Sequence, residues 1–480
     1  MDLANLAYTL SGLARGTHRL AIVAKDIADL QTKLHLALEK LTDLECTRLQ
    51  IQSGIYYTDP KSFAEPGKTA FLFPGEGSQY PNMLADLCLH FPKVRAWFDT
   101  LDENFPDKNE YLPSSIIFPP PTCTTDEERN FIAKQLFSMK VAPGALLVAN
   151  LALYDLLSAL GIGCDIMVGH SSGEHAALTA SGTVPRMEQG QLINKFRHLN
   201  QIYTDLEAQD SIPKGALLSV GAIDPALLKQ FVDSSSERLH LAMDNCRNQA
   251  VLFGSEADID EAATQLKKAG GICVRLPFDR AYHTPLFEEV EAAFRPYYDD
   301  LEMIPGHTRL YSCVTCEAFP EQPEAIHDLA IKHMSARVRF RETVEKLYDL
   351  EQVRTFITVG PGDDLTAFVN DILGDRDYLA VASNTQRKSG LEQIQHLLAR
   401  LFTNRRVVDI THLYKYRELT QVSLDAAIPL EVNQKPKPVL DLTMPIMRLK
   451  PDFVSSIQDK LYPELQSRGS DEAEEVEEVE

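Results

Sequence analysis

The sequence is poor in positive charge. Lys and Arg number 47 against 69 Asp and Glu, giving a formal net charge of −22. Nucleic-acid binders neutralise phosphates with clustered cations, so this balance argues against a nucleic-acid partner. Part of the excess is local. The final ten residues, DEAEEVEEVE, hold seven acids, a composition expected to stay solvated and disordered. Long hydrophobic runs are also missing. The most apolar stretch, Gly144 to Val168, is interrupted by Asn150, Asp155 and Asp165. It reads as a core helix followed by a buried strand, with no membrane span. Met1 is followed by neither a basic nor an apolar segment, so no secretory signal is expected. Cysteine signals are sparse. Of eight cysteines, only Cys313-Val-Thr-Cys316 has metal or redox spacing; it has no second pair and sits in a β-like run, RLYSCVTCEAF. The reading is two reduced thiols on a strand of a cytoplasmic protein, with no bound metal. Internal repeats are absent.

What is present is ample core material. The chain has 480 residues with 44% hydrophobic content, enough for more than one lobe. Residues 1–66 read as a small α+β unit. Leu3–Leu13 and Ile27–Leu41 have helical spacing, and His18–Val23 and Gln50–Tyr57 are short strands. From residue 67 the pattern is α/β. Ala70–Phe73 reads as a strand, Ala145–Leu160 as a helix, and Asp165–Gly169 as a strand stopping at a sharp turn before a helix from Glu174. Thr125-Asp-Glu-Glu128 supplies an N-cap and first-turn acids for another helix. Residues 214–276 read as β-α-β-β-α-β, an inserted ferredoxin-like lobe. Residues 355–400 return to strand and helix, and the segment beyond, with Lys435-Pro-Lys-Pro438, reads as an extended wrapping stretch.

The chemistry concentrates at two turns. Gly169-His-Ser-Ser-Gly173 fits G-x-S-x-G, follows the apolar strand DIMV and opens an apolar helix, which is the context that motif requires. A serine there, Ser171, stands on a strained corner with its hydroxyl exposed. The amides at the helix start point toward a developing oxyanion. Such a serine needs a base. Among thirteen histidines, His170 is adjacent but its side chain is expected to point away. His283, in DRAYHTPLF, follows a strand and precedes a proline-opened helix; on the residues alone it is one candidate among several. The second turn is FLFPGEGSQY, a strand running into two glycines that flank Glu76.

FPGEGSQY, VGHSSGE, RAYHTPLF and Val359-Gly-Pro-Gly362, in this order and spacing, resemble malonyl-CoA:acyl-carrier-protein transacylases. They resemble more closely the acyltransferase domains of type I polyketide and polyunsaturated fatty acid synthases. The likeness covers most of the chain. It implies an α/β-hydrolase-like core with a parallel sheet (about 67–213 and 277–400) and the ferredoxin-like lobe (about 214–276). It also implies a ketosynthase–acyltransferase linker over 1–66, a post-acyltransferase linker over 401–455 and an acidic tail over 456–480. By resemblance, Ser171 is the acylated nucleophile and His283 its base, oriented by a carbonyl of the Gly360–Gly362 loop. Glu76 and Ser172 lend backbone N–H groups to the oxyanion hole. Arg197, 26 residues after Ser171, clamps the free carboxylate of a malonyl group, a task suited to a guanidinium. Asn245, Tyr282, Gly169 and His170 line the substrate site.

Four features depart from the family, one of them the small Ser172 after the nucleophile, where bulkier side chains are frequent. Glu76 stands where glutamine is common. Pro143 falls where a pocket glutamine is usual. Arg280-Ala-Tyr-His283 is nearer the malonyl-selecting H-A-F-H pattern than Y-A-S-H and matches neither. A carboxylate inside the oxyanion hole would oppose the reaction, so the Glu76 side chain is expected to turn away, toward a cation or a backbone amide. The implied activity is acyl transfer without a bound cofactor. Acyl-CoA is the donor, the phosphopantetheine of an acyl carrier protein is the acceptor, and a ketosynthase is the neighbour. An acyl hydrolase and a non-catalytic scaffold piece are the alternatives.

Overall fold

The computed structural model describes residues 2–424, apart from 14–15, 44, 61–66, 106–110, 122–124 and 416. The acidic tail and most of the expected wrapping segment lie outside the described residues. Two compact units are distinguished, residues 1–119 with 131–422, and residues 120–130 with 423–480. In the second, Thr125 and Glu128 form the reciprocal cap that the sequence announces: the Glu128 N–H donates to Thr125 Oγ1 (3.1 Å) and the Thr125 N–H to the Glu128 carboxylate (3.0 Å). Everything below concerns the first unit.

Its N-terminal part holds β1 (Arg19–Ile22), β2 (Arg48–Ile51) and β3 (Ile55–Thr58), arranged β1-β3-β2 with all pairs antiparallel. The sequence suggests one strand over Gln50–Tyr57. The chain instead folds back there, because Gly54 takes φ 111°, a conformation closed to ordinary side chains. The helix Ile27–Leu41 starts where expected, with Asp26 accepting from the Asp29 N–H.

The core sheet is built from β4 (Lys68–Phe73), β5 (Ile166–Gly169), β10 (Arg309–Ser312), β11 (Glu317–Ala318), β12 (Val353–Thr358) and β13 (Leu379–Ala382), in the order β11-β10-β5-β4-β12-β13. All neighbours are parallel except the β10–β11 pair at one edge. The central strands are buried on both faces, which is why their sequences are near-continuous apolar runs. On β4, Phe71 and Phe73 join the apolar cluster on one side, and Ala70 and Leu72 join that on the other. The helix Ala142–Ala159 is long and apolar enough to cross a membrane, but 78% of it is buried inside this core. Cys313 and Cys316 sit in the turn between β10 and β11, not on a strand. Both are reduced, their thiols directed at the carbonyls of Gly169 and Arg339.

The lobe consists of β6 (Ala216–Gly221), β7 (Leu239–Cys246), β8 (Gln249–Gly254) and β9 (Ile272–Arg275) with the helices Pro225–Asp233 and Glu256–Lys268. The antiparallel order β7-β8-β6-β9 is the ferredoxin-like arrangement. Alternation sets its faces: Ala216, Leu218 and Val220 pack under the two helices, while Leu217 faces a separate cluster that includes Ala281. The lobe is fastened to the core where Asp244 accepts two hydrogen bonds from Arg341 (3.0 and 2.8 Å) and its N–H donates to Val338 O.

Candidate active site

β5 ends at Gly169 and the chain turns through His170, Ser171 and Ser172 into the helix Gly173–Ala180. Ser171 has φ 53°, a left-handed conformation that a non-glycine residue keeps only when its surroundings enforce it. The enforcement is steric: a Cβ on Gly173 would lie 2.1 Å from the Phe73 carbonyl oxygen. The corner is thus wedged against the end of β4, and Ser171 is held out from it.

The Ser171 hydroxyl lies 2.7 Å from Nε2 of His283. Across the ring, Nδ1 lies 2.9 Å from the His333 carbonyl and 3.2 Å from that of Ala336. Two acceptors at Nδ1 require the proton there, so Nε2 is the free base that accepts from the serine. His283 is also pinned through its backbone, its N–H donating to Met334 O (2.8 Å). Burial, reinforced by His333 and His170, lowers its pKa to about 3. The orienting carbonyls therefore come from the turn after the helix Pro323–Lys332. They do not come from Gly360–Gly362. Gly360 serves packing, since a Cβ there would lie 2.2 Å from Asn150 Oδ1 and 2.4 Å from the Pro74 ring.

Glu76 and Ser172 meet beside Ser171. The Glu76 N–H donates to Ser172 Oγ at 3.0 Å, so the hydroxyl already engages one of the two expected oxyanion donors. The cation or backbone amide expected to hold the Glu76 side chain is not seen as a contact, although Arg280 is near enough for its field to act on the carboxyl. The Glu76 side chain lines the Ser171 cavity and makes no ion pair or hydrogen bond among the described residues. Burial raises its carboxyl pKa, opposed by the field of Arg280.

The cavity is about 50 Å³ and is lined by Glu76, Pro143, Ser171, Ser172, Tyr282 and His283, among others. Pro143 and Tyr282 are thus placed at the site that the sequence assigns to them. Gly169, His170 and Asn245 are not in the lining. His170 packs against Phe340 and its Nε2 lies 2.7 Å from Asn245 Oδ1, while the Asn245 amide donates to Gln249. These residues brace the corner from behind. Arg197 is the larger correction. It is exposed, donates to the Asn104 carbonyl (3.0 Å), and faces an adjoining cavity of about 260 Å³. Phe196, Leu199, Asn200 and Tyr203 of the same helix, Gln189–Ala208, line the Ser171 cavity instead. Their spacing of i, i+3, i+4 and i+7 is one helical face, which a residue one step along cannot share. That periodicity was readable in the sequence.

Beneath the site lies a buried group of three. Among the described residues Glu174 Oε1 has no hydrogen-bond partner, with His333 Nδ1 3.7 Å away, and the His175 ring stands edge-on to His333 at 5.2 Å. Burial raises the Glu174 carboxyl well above its usual range. It lowers His175 well below its own and His333 to about 4. Each is pushed toward its neutral form. Among the described residues no group of three or more His, Cys, Asp and Glu could hold a metal ion.

The family model described as acyl transferase domain matches residues 70–406. Malonyl CoA-acyl carrier protein transacylase of Bacillus subtilis is 28% identical over 64% of this chain and 90% of its own length. One component of the polyunsaturated fatty acid synthase of a Thraustochytrium species is 26% identical over 77% of this chain, which spans only 13% of that longer protein. Among solved structures, the acyltransferase domain from the second module of the salinomycin polyketide synthase superposes with a TM-score of 0.66, at 25% identity, covering 86% of this chain and 88% of that one. The match extends over the β4 turn, the Ser171 corner and the His283 loop, and on it the chain belongs to the acyl transferase domain family.

Proposed function

We propose that Ser171 carries a malonyl or related acyl group from a CoA thioester to the phosphopantetheine thiol of an acyl carrier protein, within polyketide or fatty acid assembly. The observation that carries this reading is the Ser171–His283 hydrogen bond with Nδ1 tied to two carbonyls. Nε2 takes the serine proton as Oγ attacks the thioester carbon, and the C–S bond breaks after the tetrahedral intermediate forms. The thiolate of CoA leaves with that proton. The carrier thiol then gives its proton to Nε2, attacks the acyl-serine, and returns Oγ to the hydroxyl. In this reading the backbone N–H groups of Glu76 and Ser172 hold the developing oxyanion, and Ser172 Oγ yields its bond to the Glu76 N–H when the oxyanion forms. Side chains and backbone suffice, so no bound cofactor enters. The carrier-protein partner is supported by the relatives' roles as a carrier-protein transacylase and as part of a fatty acid synthase. A neighbouring ketosynthase and a cytoplasmic setting complete the reading.

Hydrolysis is the second reading, permitted by Pro143, which stands in the cavity wall where a glutamine is usual in the family. The two separate by partition. Protein loaded from acyl-CoA is chased with phosphopantetheinylated carrier protein or with buffer alone. Transfer predicts acyl appearing on the carrier at least about tenfold faster than free acid in buffer, the ratio expected when a thiol is positioned and water is not. Equal rates of free acid with and without carrier would assign the protein as a hydrolase.

A further inference from the structure

Among the described residues, the Ser171 cavity contains no Lys or Arg in its lining. Its apolar walls are Met139, Phe196, Leu199, Tyr203, Tyr282 and Met334. Its remaining ionisable groups are Glu76 and the imidazoles of His175, His283 and His333, and burial favours the uncharged form of each imidazole. Arg197 faces the adjoining cavity. The cation whose field reaches Glu76 is Arg280. It stands behind Tyr282, donating to the Tyr282 hydroxyl (3.3 Å) and to Glu207 (2.6 Å). Its charge is already compensated, and reaching the cavity would require breaking that ion pair.

An acyl group bearing a free carboxylate would therefore enter a space whose lining offers it polar groups such as Asn200 and Ser172 but no cation, and where a carboxyl group, Glu76, is already present. Burying an unpaired charge is among the costliest events in a protein. An alkyl chain incurs no such cost and gains from each methylene buried. We infer that the acyl group Ser171 carries is uncharged, the acyl portion of a monocarboxylic acid, and not a dicarboxylic one such as malonyl. This rests on the acyl-serine reading above, keeps its nucleophile and its transfer chemistry, and replaces malonyl with an uncharged acyl group as the unit carried.

The full chain is incubated separately with acetyl-, butyryl-, octanoyl- and malonyl-CoA, with CoA release and intact protein mass followed together. The expected result is that the best uncharged thioester exceeds malonyl-CoA in kcat/KM by at least about tenfold, and that Arg197→Ala leaves this ratio unchanged. A malonyl preference overturns the inference while leaving the acyl-serine reading intact. Loss of malonyl loading in Arg197→Ala, or in Arg280→Gln, would then identify the missing clamp and overturn it equally. Absence of both CoA release and adduct with every thioester defeats the reading and the inference together.

Discussion

The least conspicuous contact at the residue scale decides the chemistry. Nδ1 of His283 is held by two main-chain carbonyls, which fixes the tautomer without a carboxylate. This has a consequence for pH. Burial pushes the His283 imidazole down to about 3 in the folded protein, so it stays a free base well into acid. The acylation kcat/KM is expected to remain flat from about pH 8 down to about pH 5, where an ordinary imidazole would already have lost most of its base form. A midpoint near about 6.5 in the rate profile would contradict the burial argument. Stability moves the other way. Above the unfolded pKa of about 6.5 both states are neutral; as pH falls toward the depressed folded value, only the unfolded state takes up the proton and stability is lost.

The same scale shows where residues alone mislead. Ser171 was legible because G-x-S-x-G between an apolar strand and helix has one physical purpose. His283 was legible as a candidate and needed the family likeness to stand out. The carbonyls that orient it were not, since a carbonyl leaves no trace in residue identity, and the turn at His333–Ala336 is far along the chain. Arg197 follows from the family likeness, yet its neighbour Phe196 sits on the face that Leu199, Asn200 and Tyr203 share.

At the scale of elements, the segment from His333 to Arg341 does two jobs. Its first residues hold His283, and its last, through Val338 and Arg341, grip β7 of the lobe. The lobe itself was legible strand by strand, because period-two and period-3.6 patterns alternate cleanly between 214 and 276. Its attachment was not, because a two-bond Arg341–Asp244 pair cannot be told from any other surface charge in sequence. Arg341→Ala leaves Asp244, mostly buried, without its guanidinium. It is expected to lower stability by about 1–2 kcal/mol and to raise KM by loosening the turn that seats His283. Chemical denaturation with parallel kinetics reads both, and unchanged stability with unchanged KM would show the contact to be incidental.

At the scale of the whole molecule, the core sheet brings the ends of β4 and β5 side by side, and the lobe's trailing segment delivers His283 to that edge. Three pieces distant in sequence, around residues 76, 171 and 283, form one cavity. The arrangement accounts for glycine turns at strand ends, for buried neutral histidines, and for a cavity wall made by one face of a long helix. Its central claim is that Ser171 becomes acylated. The most direct measurement is peptide mapping by mass after brief exposure to an uncharged acyl-CoA, comparing wild type with Ser171→Ala. A single acyl mass on the Ser171 peptide, absent in the variant, is the predicted result; an adduct that persists in Ser171→Ala, or that maps to another residue, would contradict the account.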